Sequence, residues 1–116
     1  MTTGLTLIDN QPGHRHMAEV CAAHGLTREN LRSWNKSQRY VRARKELWFR
    51  LMIVERTFSF PEAGRLTRKD HSTVIYGMRK YAAELLGTRP NAGLDEIRLA
   101  YDAECSKALQ VEGLAA

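Results

Sequence analysis

The spacing of apolar positions along the chain predicts a series of helices separated by short polar turns. The first helix runs from about residue 14 to residue 24, and Gly25 is a natural left-handed stop for it. Thr27 then stands as the N-cap of a second, short helix that ends near residue 33 or 34. The first 13 residues include the breaker Pro12-Gly13 and show little periodicity, so they are predicted to be a flexible lead-in.

A long helix is predicted next, from about residue 40 to residue 57. Trp48 and Phe58 are expected in the core rather than on the surface. Ser59 and the glutamate three residues later have the spacing of a capping box, so another short helix should begin there and end near residue 66. The inner stripe of the long helix consists of Leu47, Leu51, Val54 and Phe58.

Two more helices complete the predicted fold. Asp70 is a good N-cap for a helix from residue 71 to about residue 86, which Gly87 ends. A final helix, whose charges are mostly acidic, is predicted from about residue 91 to residue 112. No convincing segment alternates with period two, so the fold should be an all-α helix-turn-helix bundle of about five to six helices, with an additional C-terminal helix. The predicted organisation is a lead-in (1–13), a helix-turn-helix domain (14–88) and an acidic helix packed on or extending from it (89–116).

Length and composition restrict the function classes. A chain of 116 residues with 43% apolar and 27% charged residues is typical of one globular domain, and a nucleotide-binding motor or a two-domain enzyme would not fit. The strongest apolar run has only four residues, 51–54, so no membrane span is expected. No secretory signal is recognisable at the N-terminus. Cys21 and Cys105 form neither a disulfide framework nor a zinc motif, and we expect a cytoplasmic, nucleoid-associated protein.

Positive charge is concentrated in the middle of the chain. Residues 32–80 carry 13 basic and four acidic side chains, a net charge of +9, whereas the two flanks together have a net charge of −4. A basic centre between acidic flanks is the electrostatic pattern expected of a protein that binds a polyanion.

Residues 59–86 have the order helix, tight polar turn, helix that is typical of a helix-turn-helix, whose second helix enters the major groove with its N-terminus. Hydroxyl, imidazole and carboxylate groups can form hydrogen bonds with base edges. Gly77 is expected to keep one turn of the exposed side of this second helix thin, which would allow close approach to DNA. The candidate base contacts are Asp70, His71, Ser72 and Thr73. The candidate phosphate contacts beside or along this helix are Arg68, Lys69, Arg79 and Lys80.

Two segments carry a resemblance to a known family. Residues 60–64 (Phe-Pro-Glu-Ala-Gly) and residues 69–81, with the run Asp-His-Ser-Thr-Val and an Arg-Lys pair five residues on, resemble the C-terminal DNA-binding domain (domain IV) of the bacterial replication initiator DnaA. The resemblance covers about residues 14–86. It implies sequence-specific binding of double-stranded DNA at sites like the DnaA box, in the regulation of replication initiation or of transcription. It also implies base contacts by Asp70, His71 and Ser72, with Thr73 helping at the DNA backbone.

The chain departs from the family pattern in the turn and in the basic loop. The family usually has Gly-Gly-Arg before the Asp-His pair, whereas residues 67–69 are Thr-Arg-Lys and the turn is one residue shorter, which could rotate the second helix. In the family an arginine of the basic loop (residues 35–39 here) enters the minor groove, and either Lys36 or Arg39 is the equivalent. Further candidate DNA contacts after this loop are Arg42, Arg44 and Lys45. No Walker A phosphate loop is present in these residues, so ATP-driven origin melting is not expected.

Other classes of function remain open. The chain could be a module that binds the host replication initiator or another regulator, or a nucleoid protein that binds DNA without sequence preference. A metal site at His14, His16, Cys21 and His24 does not have structural-zinc spacing, and the consecutive residues 70–72 cannot form a catalytic triad. We therefore expect no enzyme activity, no metal and no cofactor, with double-stranded DNA as the partner, no membrane contact, and an oligomeric state left open.

Overall fold

Residues 12–115, the part of the chain that the computed structural model describes, form six α-helices and no strand. The predicted all-α helix-turn-helix bundle is therefore confirmed. The helices are α1 (Pro12–His24), α2 (Arg28–Arg32), α3 (Gln38–Phe49), α4 (Phe60–Thr67), α5 (His71–Leu86) and α6 (Leu94–Ala115). A π-helical segment, Arg50–Glu55, continues α3. None of the helices in residues 12–115 is both long and apolar enough to cross a bilayer.

Helix α1 begins earlier than the apolar spacing predicts. Pro12 and Gly13, expected to be a breaker in the lead-in, form its first turn, where the missing N–H of proline is no loss. Gly13 is buried, and a Cβ at this position would lie 3.0 Å from side-chain atoms of Leu66 and Phe58. The absence of a side chain thus lets α1 approach α4 closely. The remainder of the predicted lead-in, residues 1–11, lies outside the described residues.

The predicted N-caps are confirmed. The side chains of Thr27, Ser59 and Asp70 each accept a hydrogen bond from the backbone amide three residues later, at 3.1, 3.2 and 3.1 Å. Each cap contributes about 1 kcal/mol because it satisfies an amide that the first helical turn leaves without a partner. Local sequence therefore sets where α2, α4 and α5 begin.

The long helix ends differently from the prediction. The π-helical segment after Phe49 contains an extra residue per turn, so Val54, expected on the inner stripe, is exposed. Arg56 ends the segment in the left-handed conformation, with φ 67°. From α6, Arg98 donates two hydrogen bonds to the carbonyl of Met52, at 3.1 and 2.9 Å. A cation at the carbonyl end of a helix is stabilising, and this contact attaches α6 to the domain.

Helix α3 lies at the centre of the fold, between α1 and α5. Trp48 is buried in the core as predicted, and Phe58 packs against the core. Helix α6 covers one side with its first two turns, where Ile97 is buried, whereas residues 102–109 are exposed. The fully buried large apolar side chains are Met17, Val20, Leu31, Leu47, Leu51, Met52, Ile53, Val74, Met78 and Ile97.

Candidate nucleic-acid interface

The turn between α4 and α5 is closed by backbone hydrogen bonds of the Schellman type. The amide of Lys69 donates to the carbonyl of Gly64 at 2.9 Å, and Arg68 takes the left-handed conformation, with φ 56° and ψ 41°. Glycine usually occupies this conformation, and a residue with a Cβ costs about 1 kcal/mol there. The Thr-Arg-Lys turn thus closes with an arginine, and not a glycine, in the left-handed position.

Two further contacts fix this turn against the core. A Cβ added to Gly64 would lie 2.4 Å from the carbonyl oxygen of Lys69, so the turn crosses α4 in direct backbone contact. The indole N–H of Trp48 donates to the buried hydroxyl of Thr67 at 3.0 Å. The direction in which α5 leaves the turn is therefore set by α3 and α4 together.

The first four residues of the α5 region are at the surface. Asp70, His71, Ser72 and Thr73 are all exposed. Both the hydroxyl and the amide of Thr73 donate to Oδ1 of Asp70. These two hydrogen bonds hold the pKa of the Asp70 carboxyl below its usual value, so the group is charged at neutral pH. The tip of α5 thus presents one fixed carboxylate beside an imidazole and two hydroxyl side chains.

The exposed face of α5 continues from this tip, and Gly77 does not belong to it. Gly77 is buried, and a Cβ there would lie 2.5 Å from the ring of Trp48, so this glycine lets α5 pack on α3. The prediction that Gly77 keeps one turn of the exposed side of α5 thin is therefore wrong. Ser72, Tyr76 and Lys80 follow each other at a spacing of four residues and are all exposed. Tyr76 was not among the candidate DNA contacts. Its spacing of four residues from Ser72 places it on the same face of α5, and this spacing could have identified it.

Arg44 has a structural role. Its side chain is only 4% exposed, and it donates hydrogen bonds to backbone carbonyls of the α2 C-terminus and of the α2–α3 loop (residues 33–37). The acceptors are the carbonyls of Leu31 at 2.7 Å, Asn35 at 2.9 Å, Ser33 at 2.6 Å and Asn30 at 3.2 Å. Burial lowers the pKa of this guanidinium from its ordinary value. A buried group with these bonds cannot contact phosphate, which corrects the prediction for Arg44.

Lys69 is also engaged within the protein. Its ammonium group donates to the carbonyls of Arg32, Ser33 and Thr67, at 3.0, 2.9 and 3.1 Å. Since an ammonium group has three N–H donors, all of them are used. Burial is the main reason why the pKa of Lys69 is lowered, and the charges of Arg44 and Arg68 add to it. Lys69 thus ties the turn to the α2–α3 loop, and the predicted phosphate contact is corrected.

The arrangement of α4, the turn and α5 is that of a helix-turn-helix, and the comparison with known families agrees. The model of the family "Bacterial dnaA protein helix-turn-helix" matches residues 17–80, which is more than half of the chain. The chain belongs to this family. No curated protein and no solved structure matches the chain.

Membership of the DnaA helix-turn-helix family makes the chain a DNA-binding domain. The match begins within α1 and ends within α5, so it includes the capped turn and the tip of α5. Helix α6 lies outside the match. The matched family consists of DNA-binding domains rather than catalytic domains.

The other candidate basic residues around the tip of α5 differ in exposure and in their hydrogen bonds within the protein. Lys36, Arg42, Arg68 and Lys80 are exposed, whereas Lys45 and Arg79 are half-buried. Arg39 is exposed but donates to the carbonyls of His24 at 3.0 Å and Gly25 at 2.7 Å, where it closes the end of α1.

Two of the histidines near the N-terminus form ion pairs between helices, and Cys21 is buried apart from them. His16 pairs with Glu55 at 3.1 Å, and His24 pairs with Glu46 at 3.0 Å, which joins α1 to α3 and its π-helical continuation. Cys21 is buried, and its burial raises the pKa of the thiol. No group of three or more potential metal ligands occurs among residues 12–115.

Proposed function

We propose that the chain binds double-stranded DNA at specific sequences of the DnaA-box kind, and that it regulates replication initiation or transcription by occupying such sites. The observation that carries this proposal is the exposure of all four side chains that open α5, within the family's helix-turn-helix. In this arrangement the N-terminal residues of the second helix meet base edges in the major groove.

The tip residues have complementary hydrogen-bonding roles. Asp70 is charged and uses Oδ1 for Thr73, so its Oδ2 is the atom that would accept from the amino group of a cytosine. His71 and Ser72 offer donors and acceptors to base edges. Thr73 is placed at the same end of the helix, and its main role is to hold the Asp70 carboxylate in position.

The phosphate contacts follow from the exposure of the cations. Arg42, Arg68 and Lys80 are exposed and lie in or beside the helix-turn-helix, so they are the proposed phosphate contacts. Lys36 is the proposed minor-groove residue, because Arg39 is engaged with the end of α1. A lysine has a weaker preference than arginine for a narrow minor groove, so the flanking sequence should be read less strictly. Lys45 and Arg79 stand at the edge of this surface.

The salt dependence of binding measures the phosphate component. If about six phosphates are neutralised, the logarithm of the association constant should fall with the logarithm of the salt concentration with a slope of about −5. Fluorescence anisotropy with a labelled duplex at several salt concentrations would measure this slope. A slope near zero would contradict binding through this basic surface.

Substitutions at the tip and at the phosphate contacts should have different effects on specificity. His71→Ala and Ser72→Ala should each weaken binding to the best site by about 1–3 kcal/mol and relax the preference at single base positions. Arg42→Ala should weaken binding to all duplexes alike, because phosphates carry no sequence information.

The test begins with selection of a preferred site from a random duplex pool at fixed salt. Each variant is then measured on that site, on single-base changes of it and on a scrambled duplex. Equal losses on every duplex for all three variants would overturn base reading by α5. Equal binding of the selected and scrambled duplexes by the unchanged protein would instead indicate a nucleoid protein without sequence preference.

A further inference from the structure

An apolar cleft of about 260 Å³ lies between the α2–α3 loop and α5, directly beside the tip of the helix. Its volume is close to the lower limit of about 300 Å³ for ligand pockets, which suits a single flat ring system rather than a large ligand. The apolar lining consists of Trp34, Val41, Trp48, Tyr76 and Gly77. The polar lining consists of Lys36, Arg44, Lys45, Lys69 and Thr73, and none of the ten lining residues is acidic.

Two aromatic side chains at this cleft are exposed although both have apolar rings. Trp34 is 73% exposed and Tyr76 is 67% exposed, so neither contributes much to the core. The ammonium group of Lys69 lies 4.5 Å from the centre of the Trp34 ring and is fixed there by its three hydrogen bonds to carbonyls. The ammonium group of Lys80 lies 5.7 Å from the centre of the Tyr76 ring. Each ring thus lies beside a cation while much of its surface stays open.

We propose that this cleft binds an unpaired base of single-stranded DNA, which stacks on Trp34 or Tyr76. Aromatic platforms next to a positively charged track are the general means by which proteins bind single strands, because every base has a face that can stack. The cleft has both parts, since its walls are apolar and Lys36 and Lys45 in its lining are available to neighbouring phosphates.

A second depression extends the positive track away from the cleft. It shares Lys36, Val41 and Lys45 with the cleft and adds Arg42, and its one acidic lining residue is Glu84. A strand that places one base in the cleft can therefore continue its phosphates along Lys36, Arg42 and Lys45. A continuous chain of negative charges with flat apolar groups matches this arrangement more closely than an acidic peptide, whose side chains have no flat ring at regular spacing.

This inference goes beyond the proposed function and does not depend on it. Base reading in a duplex uses the tip of α5, whereas the single strand would use the aromatic side chains beside the tip. Because Thr73 belongs to both the tip and the lining of the cleft, the two forms of DNA should compete for the protein.

The test compares two single-stranded probes with the same number of phosphates. One is a labelled thymidine oligonucleotide of about ten nucleotides, within the usual range of site sizes, and the other is an abasic oligonucleotide of the same length. The thymidine strand should bind roughly 10-fold more tightly, since stacking strengthens binding by about this factor per base. Trp34→Ala should remove most of this difference, and Trp34→Phe should keep much of it. Leu99→Ala, a change at another exposed apolar side chain on α6, is the matched control and should leave binding unchanged.

Equal binding of the thymidine and abasic strands by the unchanged protein would overturn the proposal, whatever the variants do. Equal loss of both strands in Trp34→Ala would also overturn it. An oligoglutamate peptide that binds as tightly as the thymidine strand, and is weakened by Trp34→Ala, would assign the cleft to an acidic protein instead. The selected duplex is measured in parallel, so that a failure of sequence-specific duplex binding is recognised separately from a failure of the cleft.

Discussion

Arg44→Ala is expected to lower the free energy of unfolding by about 3 kcal/mol, because it removes a buried side chain together with its hydrogen bonds to four backbone carbonyls. In the native protein the guanidinium donates hydrogen bonds to the backbone carbonyls of Leu31, Asn30, Ser33 and Asn35. The buried carbonyl of Leu31 is left without this donor, which costs about 1–3 kcal/mol when the group stays dry. The carbonyls of Ser33 and Asn30 keep donors from Lys69 and Ser33, so they add less. Chemical denaturation followed by circular dichroism measures the change.

Arg42→Ala is the matched control, because it removes the same charge from an exposed position two residues away. It should change the free energy of unfolding by less than about 0.5 kcal/mol and weaken DNA binding. Arg44→Lys should behave more like Arg44→Ala than like a conservative change, since an ammonium group cannot reach several carbonyls in the fork geometry of a guanidinium. If Arg44→Ala were as stable as Arg42→Ala and bound DNA equally weakly, the assignment of a structural role to Arg44 would be wrong.

The local features of this fold could be predicted from the sequence. The caps at Thr27, Ser59 and Asp70 and the stop at Gly87 depend on residues only a few positions apart, so their signals are contained in short segments. The same is true of the signature that opens α5. For this reason the helix-turn-helix and its exposed tip follow from the sequence pattern, whereas the start of α1 and the π-helical segment, which depend on packing against other helices, do not.

The division of the basic residues into surface and interior could not be predicted. Arg44 and Arg42 have the same charge and lie on the same helix, yet only Arg44 meets the carbonyls that α2 and the following loop turn toward α3. Lys69 is likewise taken up by carbonyls more than 30 residues away along the chain, at Arg32 and Ser33. Net charge in a segment counts these groups with the others, so it overestimates the surface that can contact phosphate.

For the aromatic residues, the sequence pattern identifies a buried side chain but not an exposed one. Trp48 and Trp34 are the same residue type, but the first is buried and the second is exposed. Trp48 lies on the inner face of a long helix, where periodicity identifies it, whereas Trp34 lies in a loop, where no periodic signal exists. The role proposed for Trp34 rests on its position beside Lys69 and α5, which the sequence pattern of the loop does not indicate.

Gly64→Ala is expected to lower the free energy of unfolding by about 3 kcal/mol, although alanine is the better helix former by about 1 kcal/mol. The new Cβ would lie 2.4 Å from the carbonyl oxygen of Lys69, and a backbone atom cannot move aside as a flexible side chain can. The clash therefore has to be relieved by shifting the turn, and α5 moves with it. Thermal and chemical unfolding measure the loss of stability, and binding to the selected duplex should weaken further than the unfolded fraction explains.

Two other glycines make this prediction specific. A Cβ at Gly93 would meet nothing within 4 Å, so Gly93→Ala should stay within about 1 kcal/mol of the unchanged protein. At Gly77 a Cβ would lie 2.5 Å from the ring of Trp48, which can shift only if it gives up its hydrogen bond to Thr67, so Gly77→Ala should have an intermediate effect. The expected order of destabilisation is Gly64→Ala, then Gly77→Ala, then Gly93→Ala. A Gly64→Ala protein as stable as Gly93→Ala would mean that the turn does not cross α4 in backbone contact, and the orientation of α5 derived from that contact would have to be abandoned.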